Sequence, residues 1–591
     1  MAGCRVTENR DVLREIFQHL DPFVDPFGDE LPKGWPVTRY QLERRRTLCR
    51  AARASRAISE CALDVLWKHL STLTDLFKVI PSLQQRRAVH MDIRDVMDGV
   101  ERTEWNVSGS ITTDDWRRFN GYARRVRALD VSWRPVQVGS KVIEWVSTFS
   151  NGRPLLPSLL ELTITPGQPL ESGVISLISP TILSLAIRSM SYYSWFKMPD
   201  YPAHRHALEQ VIQHVSSACP NVEEVDLGDC HDTETLLLLS KCRHLRQIRL
   251  SRPTFGLDTR LLREWSRIPH LTELSLDLPR DDPVTEALAF PALQKIRVSC
   301  SMQKPTISFF QHCSTPALSY LSLTVYDRAE ADPYDLLECL RVVSLTVADS
   351  SSFRHFILDR KSVEKRGRIS TSPRALIDIV RPLCQLGQLE TVHLSPPACW
   401  NLFGSDAEVE EMVSNWPNLL SLRIDLGSSV LFPPDDIMFQ MAAQYFAPMM
   451  SRLRAGSLVA IAKACPRLQD LTLLCDLRDL SLAALDDSPS HHPLREIRLL
   501  SIQAIIYSPE EAQLNAEFID RLFPNLILDE LFLARSWMWG GTLSKDVLKR
   551  MRNLQQERTG EKAVSSATGV LLHPWGPSAQ NVPSPAPTVV G

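Results

Sequence analysis

A chain of 591 residues is too long to fold around one ordinary hydrophobic core, so several domains or a repeat array are expected. The net charge of −3 gives no broad positive field for nucleic acid or for an anionic membrane surface. No stretch approaches the roughly 20 consecutive apolar residues that a membrane-spanning helix needs. The sequence therefore predicts neither a nucleic-acid partner nor a membrane association.

The cysteines and the N-terminal residues indicate the compartment. The 13 cysteines are scattered singly, with no Cys-x-x-Cys pair. Several of them, such as Cys219 and Cys465, occupy the same apolar frame as the leucines, which indicates reduced core residues. The N-terminal residues carry charges and lack the apolar segment of a secretory signal. We therefore expect a cytoplasmic location, a nuclear location, or both.

The first 80 residues show the periodicity of helices and no strand pattern. Asn9 stands at an N-cap position ahead of a first helix. The apolar residues of that helix recur at the spacing of one face: Leu13, Ile16, Phe17 and Leu20. Four prolines interrupt the chain between 21 and 36, and a basic helical segment resumes near Thr38. We expect a helical domain over 5–80 and a polar, irregular connector over 81–115.

From residue 116 onward, a helix face is followed by a strand face at a fixed offset. In the clearest copy the helix face is Val409, Met412, Val413 and Trp416, and the strand face is Leu419, Leu422 and Ile424. A proline usually lies two residues ahead of the Leu-x-x-Leu-x-Leu strand motif and ends the preceding helix. One such unit cannot bury its apolar side alone, so the units must stack as leucine-rich repeats do.

The strand motif recurs along most of the remaining chain. Its predicted starts are Val126, Leu159, Ile182, Val222, Leu245, Leu271, Leu293, Leu318, Leu340, Leu389, Leu419, Leu468, Leu494 and Leu528. This pattern predicts an α/β fold with a solenoid over 116–554. The wider gaps indicate insertions near 348–372 and 426–457. The polar and then proline-rich tail over 555–591 is expected to be disordered.

The N-terminal segments DVLREIFQHL (11–20) and ALDVLWKHL (62–70), with the basic helix between them, resemble an F-box. Together with LFKVIP (76–81) and DDWRRFNGYARRVRALDV (114–131), they resemble the F-box/leucine-rich-repeat proteins abundant in mushroom-forming fungi (basidiomycetes). The sequence departs from that pattern where Thr7-Glu8-Asn9 replaces the usual Leu-Pro and where the loop 21–36 is long.

This resemblance implies a three-helix F-box head on a ribonuclease-inhibitor-like horseshoe, with parallel strands on the concave face and helices outside. It also implies that the head binds a SKP-type adaptor and, through it, a cullin. By position in the motif, the implied adaptor-binding residues are Leu13, Ile16, Phe17, Leu20, Leu48 and Cys49. The alternative for each of them is that it only holds the three helices together, because a small bundle also needs a core.

In a leucine-rich array, the residues that alternate with the core leucines point outward from the strands. The candidate partner-binding residues on this face are Glu224, Asp226, Arg249, Glu273, Arg297, Tyr320, His393, Arg423 and Arg498. Their charges are of mixed sign, which suits a polypeptide partner better than a nucleic acid. The alternative is that they are merely solvated strand residues.

The sequence holds no pattern that indicates an enzyme. It has no glycine-rich phosphate loop and no Gly-x-Ser-x-Gly elbow. The pairs His231-Asp232 and His491-His492 have no second pair at metal-ligand spacing, so we expect surface turns there and no metal or cofactor.

Two functional hypotheses follow from these patterns. In the first, the protein is the substrate-recognition subunit of a cullin–RING (SCF-type) E3 ubiquitin ligase, with the adaptor on the F-box and a target protein on the repeats. In the second, it is a non-catalytic leucine-rich-repeat interaction scaffold with no ubiquitin-ligase link, and the helical head only caps the solenoid.

Overall fold

The computed structural model describes two parts of the chain, a helical head and a stack of repeats. The residues described are 9–22, 39–87, 103–132, 140–165, 172–188, 201–228, 233–250, 258–278, 284–300, 304–326, 333–347, 351–361, 374–396, 402–426, 453–475, 477, 480, 492–500, 508–528 and 545–559. Most of the predicted insertion 426–457, nearly all of the tail 555–591 and the strand expected after Leu528 lie outside these residues.

Three helices form the head: α1 (Arg10–Gln18), α2 (Arg39–Ala51) and α3 (Arg56–Leu66). Helix α3 packs against both of the others. Asn9 caps α1, because its side chain accepts hydrogen bonds from the backbone N–H groups of Asp11 and Val12. The head has its own small core, formed by Leu13, Phe17, Leu48, Cys61, Ala62 and Val65. Three packed helices with a core of their own therefore make up the head.

A 14-stranded sheet runs through the rest of the molecule, with its strands in chain order and every pair parallel. The strands are β1 (His69–Leu70), β2 (Ala128–Ser132), β3 (Glu161–Thr165), β4 (Ser184–Ile187), β5 (Glu224–Leu227), β6 (Gln247–Leu250), β7 (Glu273–Asp277), β8 (Lys295–Cys300), β9 (Tyr320–Tyr326), β10 (His355–Lys361), β11 (Thr391–Leu394), β12 (Ser421–Ile424), β13 (Asp470–Leu474) and β14 (Glu496–Leu500). Consecutive order and parallel pairing mean that each connection returns on the same side of the sheet.

Helices fill most of these connections. They are α4 (Thr74–Phe77), α5 (Thr113–Ala123), α6 (Ser140–Thr148), α7 (Tyr201–Ala218), α8 (Thr233–Leu237), α9 (Thr259–Ser266), α10 (Lys304–His312), α11 (Pro333–Val347), α12 (Leu376–Val380), α13 (Asp406–Ser414), α14 (Ala455–Ala464), α15 (Pro509–Leu522) and α16 (Lys545–Thr559). Short 3₁₀ helices span Ser172–Leu177, Leu238–Lys241 and Arg381–Gln385. Helices α15 and α16 pack on each other beyond β14.

The strand leucines of the repeat motif form the core, as the sequence pattern predicts. Leu274, Leu422 and Leu471 are at most 1% exposed, and they belong to one continuous apolar cluster that extends from Leu70 to Met551. Burying each such leucine contributes roughly 1.5–3 kcal/mol. Since the apolar helix faces join the same cluster, each repeat depends on its neighbours for its core.

One predicted strand start is wrong. Leu340 lies in helix α11, and the strand of that repeat is β10, inside the segment predicted as the insertion 348–372. The buried residues of α11 recur at helical spacing, and they are Leu336, Cys339, Leu340, Val343 and Val347. The strand frame of this repeat begins with phenylalanine instead of leucine, since Phe353, Phe356 and Leu358 are the buried residues there.

Two further expectations for the N-terminal region are corrected. The first 80 residues are not all helix, because His69–Leu70 forms β1 and pairs with β2. The connector is not irregular throughout, because Leu83–Arg87 and Thr103–Val107 pair as antiparallel strands. Trp105 of this hairpin packs edge-on against Phe77, with ring centroids 6.3 Å apart.

The geometry of the two layers predicts how the stack bends. Strands in a sheet are about 4.8 Å apart, whereas packed helices need about 10 Å. The strand layer must therefore lie on the inner side of the curve, and we call its exposed surface the concave face. Short strand pairs at Leu288–Ala289 with Cys313–Ser314, and at Arg374–Ala375 with Leu402–Phe403, link neighbouring repeats away from the main sheet.

Candidate protein-binding surfaces

The structure divides the six predicted adaptor-binding residues between the core and the surface of the head. Leu13, Phe17 and Leu48 are buried in the head core, so they do not form a contact surface. Leu20 is half-buried against the same core. Ile16 and Cys49 are exposed. The alternative that these residues hold the helices together therefore applies to the first three.

Two exposed apolar residues of the head, Val12 and Leu42, were not among the residues predicted from the sequence. Val12 is 39% exposed and Ile16 is 47% exposed, and they lie one turn apart on the outer face of α1. On α2, Leu42 is exposed and shares a helix face with Cys49, seven residues further on. The helical spacing could have indicated both residues, because Val12 does not share a helix face with the buried Leu13, and Leu42 does not share one with the buried Leu48.

A buried carboxylate ties the end of α1 to the start of the sheet. Asp21 is 2% exposed, and its side chain accepts a hydrogen bond from Nζ of Lys68 at 3.1 Å. Nη1 of Arg44, on α2, donates to the backbone carbonyl of Asp21 at 2.5 Å. The chain after α1 is therefore fixed to α2 and to the residues just before β1.

Arg125 makes side-chain contacts between the first repeat and the head. Arg125 follows α5, and its buried guanidinium donates to Oε2 of Glu60 at 2.6 Å and also to Asp64. Both acidic residues lie on α3 of the head. The hydrogen bond from Arg125 lowers the pKa of the Glu60 carboxyl, although desolvation opposes the shift. The rings of Trp67 and Tyr122 pack beside this contact, with centroids 4.6 Å apart.

The register of the sheet aligns the predicted partner-binding residues in two rows across the concave face. One row contains Glu224, Gln247, Glu273, Lys295, Tyr320, His355, Thr391, Ser421, Asp470 and Glu496. The other row contains Asp226, Arg249, Ser275, Arg297, Ser322, Ile357, His393, Arg423, Thr472 and Arg498. The side chain of Arg498 lies outside the described part of the structure. The second row starts acidic and becomes basic.

Glu273 is a support for its neighbours, not a residue that faces a partner. It is only 3% exposed, and its Oε1 accepts a hydrogen bond from Nε of Arg249 at 3.1 Å and another from Nη1 of Arg297. The two arginine side chains are each 38% exposed. Two cations therefore share one buried anion, and both guanidinium groups stay accessible at the face.

A similar arrangement recurs after β12. Asp425 is buried, with Oδ2 at 3.6 Å from Nη2 of Arg360 and at 3.6 Å from Nη2 of Arg423. The Arg360 side chain is nearly buried, whereas Arg423 is exposed. Again two arginines share one carboxylate, and one of them reaches the concave face.

Between these two arginine pairs the two rows carry aromatic, imidazole and aliphatic side chains, and the half-buried carboxylate of Asp359 on β10 lies within electrostatic reach of His393. The guanidinium of Arg297 lies over the ring of Tyr320, 5.3 Å from its centroid, and Tyr320 lies 6.2 Å from the ring of His355. Nε2 of His393 is 3.1 Å from Oγ of Ser421. Burial lowers the pKa of His355 and of His393, so both imidazoles are neutral near pH 7. Ile357 follows His355 by two residues on β10 and pairs in register with His393.

The acidic start of the face is also partly shielded from solvent. Burial raises the pKa of Asp226, although Arg249 and Arg188 oppose the shift. Glu224 is half-buried and accepts a hydrogen bond from Oγ of Ser184 at 3.3 Å. Both carboxylates act electrostatically on Arg249, whose pKa is raised although desolvation opposes the shift.

The described residues contain no group of three histidine, cysteine or acidic side chains that could hold a metal ion. His492 is buried, so the surface turn expected there is wrong, while His491 and the pair His231-Asp232 lie outside the described residues. Cys219 and Cys465 are buried in the repeat core, and burial raises their thiol pKa to about 11 and about 12. Within the described chain, no helix is both long and apolar enough to span a membrane.

No protein-family model matches the chain, and no curated protein matches it either. Among solved structures, the chain is similar to the crystal structure of the TLR13–ssRNA13 complex, at 10% sequence identity and a TM-score of 0.28. The match covers 63% of this chain and 52% of that chain, so this chain spans about half the length of that structure. The assignment of a leucine-rich-repeat solenoid rests on the strand order and the repeated leucine frame described above.

Proposed function

We propose that this protein is the substrate-recognition subunit of a cullin–RING ubiquitin ligase, in which the head binds a SKP-type adaptor and the concave face binds a target protein. The observation that carries the proposal is the pair Val12 and Ile16, exposed side by side on a helix whose other face forms the head core. The resemblance of this region to an F-box supplies the identity of the adaptor.

The exposed apolar residues are concentrated in the head. Among the described residues, seven large hydrophobic side chains are exposed, and Val12, Ile16 and Leu42 are three of them. A helical domain this small gains stability when a partner covers such residues, because apolar burial is worth about 25 cal/mol per Å². Apolar anchors surrounded by charged residues are also the usual composition of a protein–protein interface.

The contacts of Arg125 link the concave face of the repeats to the head, which carries the proposed adaptor-binding surface. Because Arg125 links the first repeat to α3, a protein held on the concave face would sit at a defined position relative to one held on the head. Such a subunit catalyses no step itself. It raises the local concentration of the target near the ubiquitin-transferring partner.

A second candidate function is an interaction scaffold in which the head is only the cap of the solenoid. This candidate is favoured by the burial of Leu13, Phe17 and Leu48 and by the pairing of β1 with β2, which covers the first edge of the repeat sheet. It requires the same protein-binding concave face and no adaptor.

Co-purification with a purified SKP-type adaptor separates the two candidates. The variant Val12→Asp/Ile16→Asp changes only exposed side chains, so the fold should persist. Leu345→Asp is the matched control, since Leu345 is 66% exposed on α11 of the solenoid. The ligase proposal predicts adaptor recovery with the wild type and the control and none with the double variant. No recovery with any of the three proteins favours the scaffold, and equal recovery with all three rejects the α1 surface.

A further inference from the structure

The arginines of the concave face are arranged to hold anionic groups at two separated points. Arg249 and Arg297 share the buried carboxylate of Glu273, and Arg360 and Arg423 share that of Asp425. In each set two guanidinium groups share one buried carboxylate; Asp226 and Glu224 act in addition on Arg249, so Arg297 and Arg423 are the arginines of the two sets that we expect to hold the anionic groups. A guanidinium has five N–H donors in a fixed fork, which suits further carboxylate or phosphate oxygens.

The buried carboxylates make these arginines rigid before any partner arrives. Arg249 also donates from Nη2 to Oε1 of Gln247 at 3.0 Å, and Arg297 lies against the ring of Tyr320. Side chains that are already held lose little conformational freedom on binding. Fixed, half-exposed arginines therefore favour anion binding more than solvated lysines would.

The register gives the distance between the two points. Arg297 on β8 and Arg423 on β12 lie in one row, separated by Ser322, Ile357 and His393 on the three strands between them. Four strand spacings of about 4.8 Å amount to roughly 19 Å, which about six residues of extended chain span.

The surface between Arg297 and Arg423 differs in chemistry from the two arginine sets at its ends. Tyr320, His355, Ile357 and His393 present aromatic, aliphatic and neutral imidazole groups there. An apolar side chain would find contact on these groups, and the carboxylate of Asp359 beside His393 would repel an acidic one. The middle of a bound segment is therefore expected to be uncharged.

We infer that the concave face from β6 to β12 binds an extended acidic segment of a partner protein, with anionic side chains about six residues apart and an uncharged stretch between them. The inference rests on the proposed role of this face as the target-binding surface, and it adds the chemical class of the target. The anionic groups can come from acidic residues or from phosphorylated serines, because both present oxygens to the same arginines.

Fluorescence anisotropy with synthetic labelled peptides tests the inference on the full chain. The probe carries two glutamates six positions apart, with leucine midway in a serine and glycine background. Comparison peptides place the glutamates two or eleven positions apart, replace both by glutamine, or replace both by phosphoserine. We expect the six-position peptide to bind at least about tenfold more tightly than the glutamine peptide and the other spacings.

Arg297→Gln/Arg423→Gln is the test variant, because each buried carboxylate keeps one arginine, Arg249 or Arg360. Arg267→Gln/Arg341→Gln removes the same charge from exposed positions outside the concave face. The test variant should lose at least about tenfold in affinity and the control less than about twofold. Arg297→Lys/Arg423→Lys, which keeps the charge but not the fork, should fall between them.

Tighter binding of the phosphoserine peptide than of the glutamate peptide, still dependent on Arg297 and Arg423, assigns the anionic groups to phosphorylation. Equal or weaker binding assigns them to acidic residues. The inference is overturned if the affinity is unchanged by the spacing of the glutamates, by their replacement with glutamine, or by the Arg297→Gln/Arg423→Gln substitutions. The peptide assay does not involve the head, so its failure leaves the adaptor proposal intact, and a failed adaptor assay leaves the peptide result intact.

Discussion

Arg125 in the first repeat donates a hydrogen bond of 2.6 Å to Glu60 in the head, although 65 residues separate them in the chain. The Arg125 side chain is buried, whereas the Glu60 side chain is half exposed. This contact and the neighbouring contact to Asp64 link the head to the repeats, beside the packing of Trp67 on Tyr122.

Replacing Arg125 by Met should loosen the head without unfolding the repeats. Because Glu60 and Asp64 can regain water, we expect a loss of only about 1 kcal/mol. Hydrogen exchange should accelerate over residues 10–66 and stay unchanged in β5–β13. Arg117→Met is the control, since Arg117 is highly exposed and pairs with Asp114 on its own helix. Equal acceleration in both variants would contradict the role of Arg125.

Acid should weaken the same contact. Arg125 lowers the pKa of Glu60 in the folded protein, so the contact stabilises the fold above the unfolded-state pKa of about 4.3. That contribution is lost as the pH falls through the folded-state pKa. The protection of head amides, measured relative to the intrinsic exchange rate at each pH, should therefore fall below about pH 4 in the wild type, and it should change less in Arg125→Met.

His492 should make stability depend on pH. It is buried, with Nε2 at 2.9 Å from the carbonyl oxygen of Cys465, and its Nδ1 accepts a hydrogen bond from the backbone N–H of Leu494. Burial lowers its pKa, so the unfolded chain binds a proton more readily than the folded one. Stability should be complete above about pH 6.5 and fall as the pH drops below it.

His492→Leu tests this account by urea unfolding at pH 7.5 and pH 5.5. Losing both hydrogen bonds should cost about 1–3 kcal/mol at pH 7.5 and reduce the difference between the two pH values. His270→Leu, at an exposed histidine, should change neither. Burial also lowers the pKa of His355 and of His393, so part of the pH dependence of stability should remain in this variant. An unchanged pH dependence in His492→Leu would contradict the assignment.

Glu273→Gln should destabilise the middle of the sheet. The amide retains an acceptor oxygen but removes the anion that Arg249 and Arg297 share, which should cost about 1–3 kcal/mol. The control Glu264→Gln acts on a more exposed residue paired with Arg267, and it should cost less than about 0.5 kcal/mol. Equal unfolding midpoints for the two variants would show that Glu273 is not a structural support.

Leu471→Ala should create a cavity in the repeat core. Leu471 is 1% exposed, and such a truncation typically costs about 2–5 kcal/mol. Since each repeat contacts only its neighbours, loss of hydrogen-exchange protection should concentrate in β12–β14. Thr472→Ala, at the adjacent residue that points away from the core, should cost less than about 0.5 kcal/mol.

The repeated leucine spacing was enough to predict a stack of helix–strand units, because in each unit the apolar residues recur every 3.6 residues along the helix and then every two residues along the strand. The repeat at β10 escaped prediction because Phe353 and Phe356 fill the leucine positions. The leucine-rich end of α11 fits the same short motif, and only its longer helical period distinguishes it from a strand.

Pairings between distant residues were not accessible from the sequence. Nothing in the local pattern of Glu273 indicates that arginines on both neighbouring strands enclose it, since each lies 24 residues away. Likewise, the motif that marked Leu13 and Phe17 as adaptor-binding residues also fits a head core. Burial decides between these roles, and burial depends on the packing of α3.

We propose that the protein carries two separate protein-binding faces, one on the head and one on the repeats. Size-exclusion chromatography with light scattering, on a mixture of the protein, a SKP-type adaptor and the six-position glutamate peptide, tests it most directly. The account predicts that both partners bind together, that Val12→Asp/Ile16→Asp loses only the adaptor, and that Arg297→Gln/Arg423→Gln loses only the peptide. Loss of both partners in either variant, or failure of the wild type to bind either one, would contradict it.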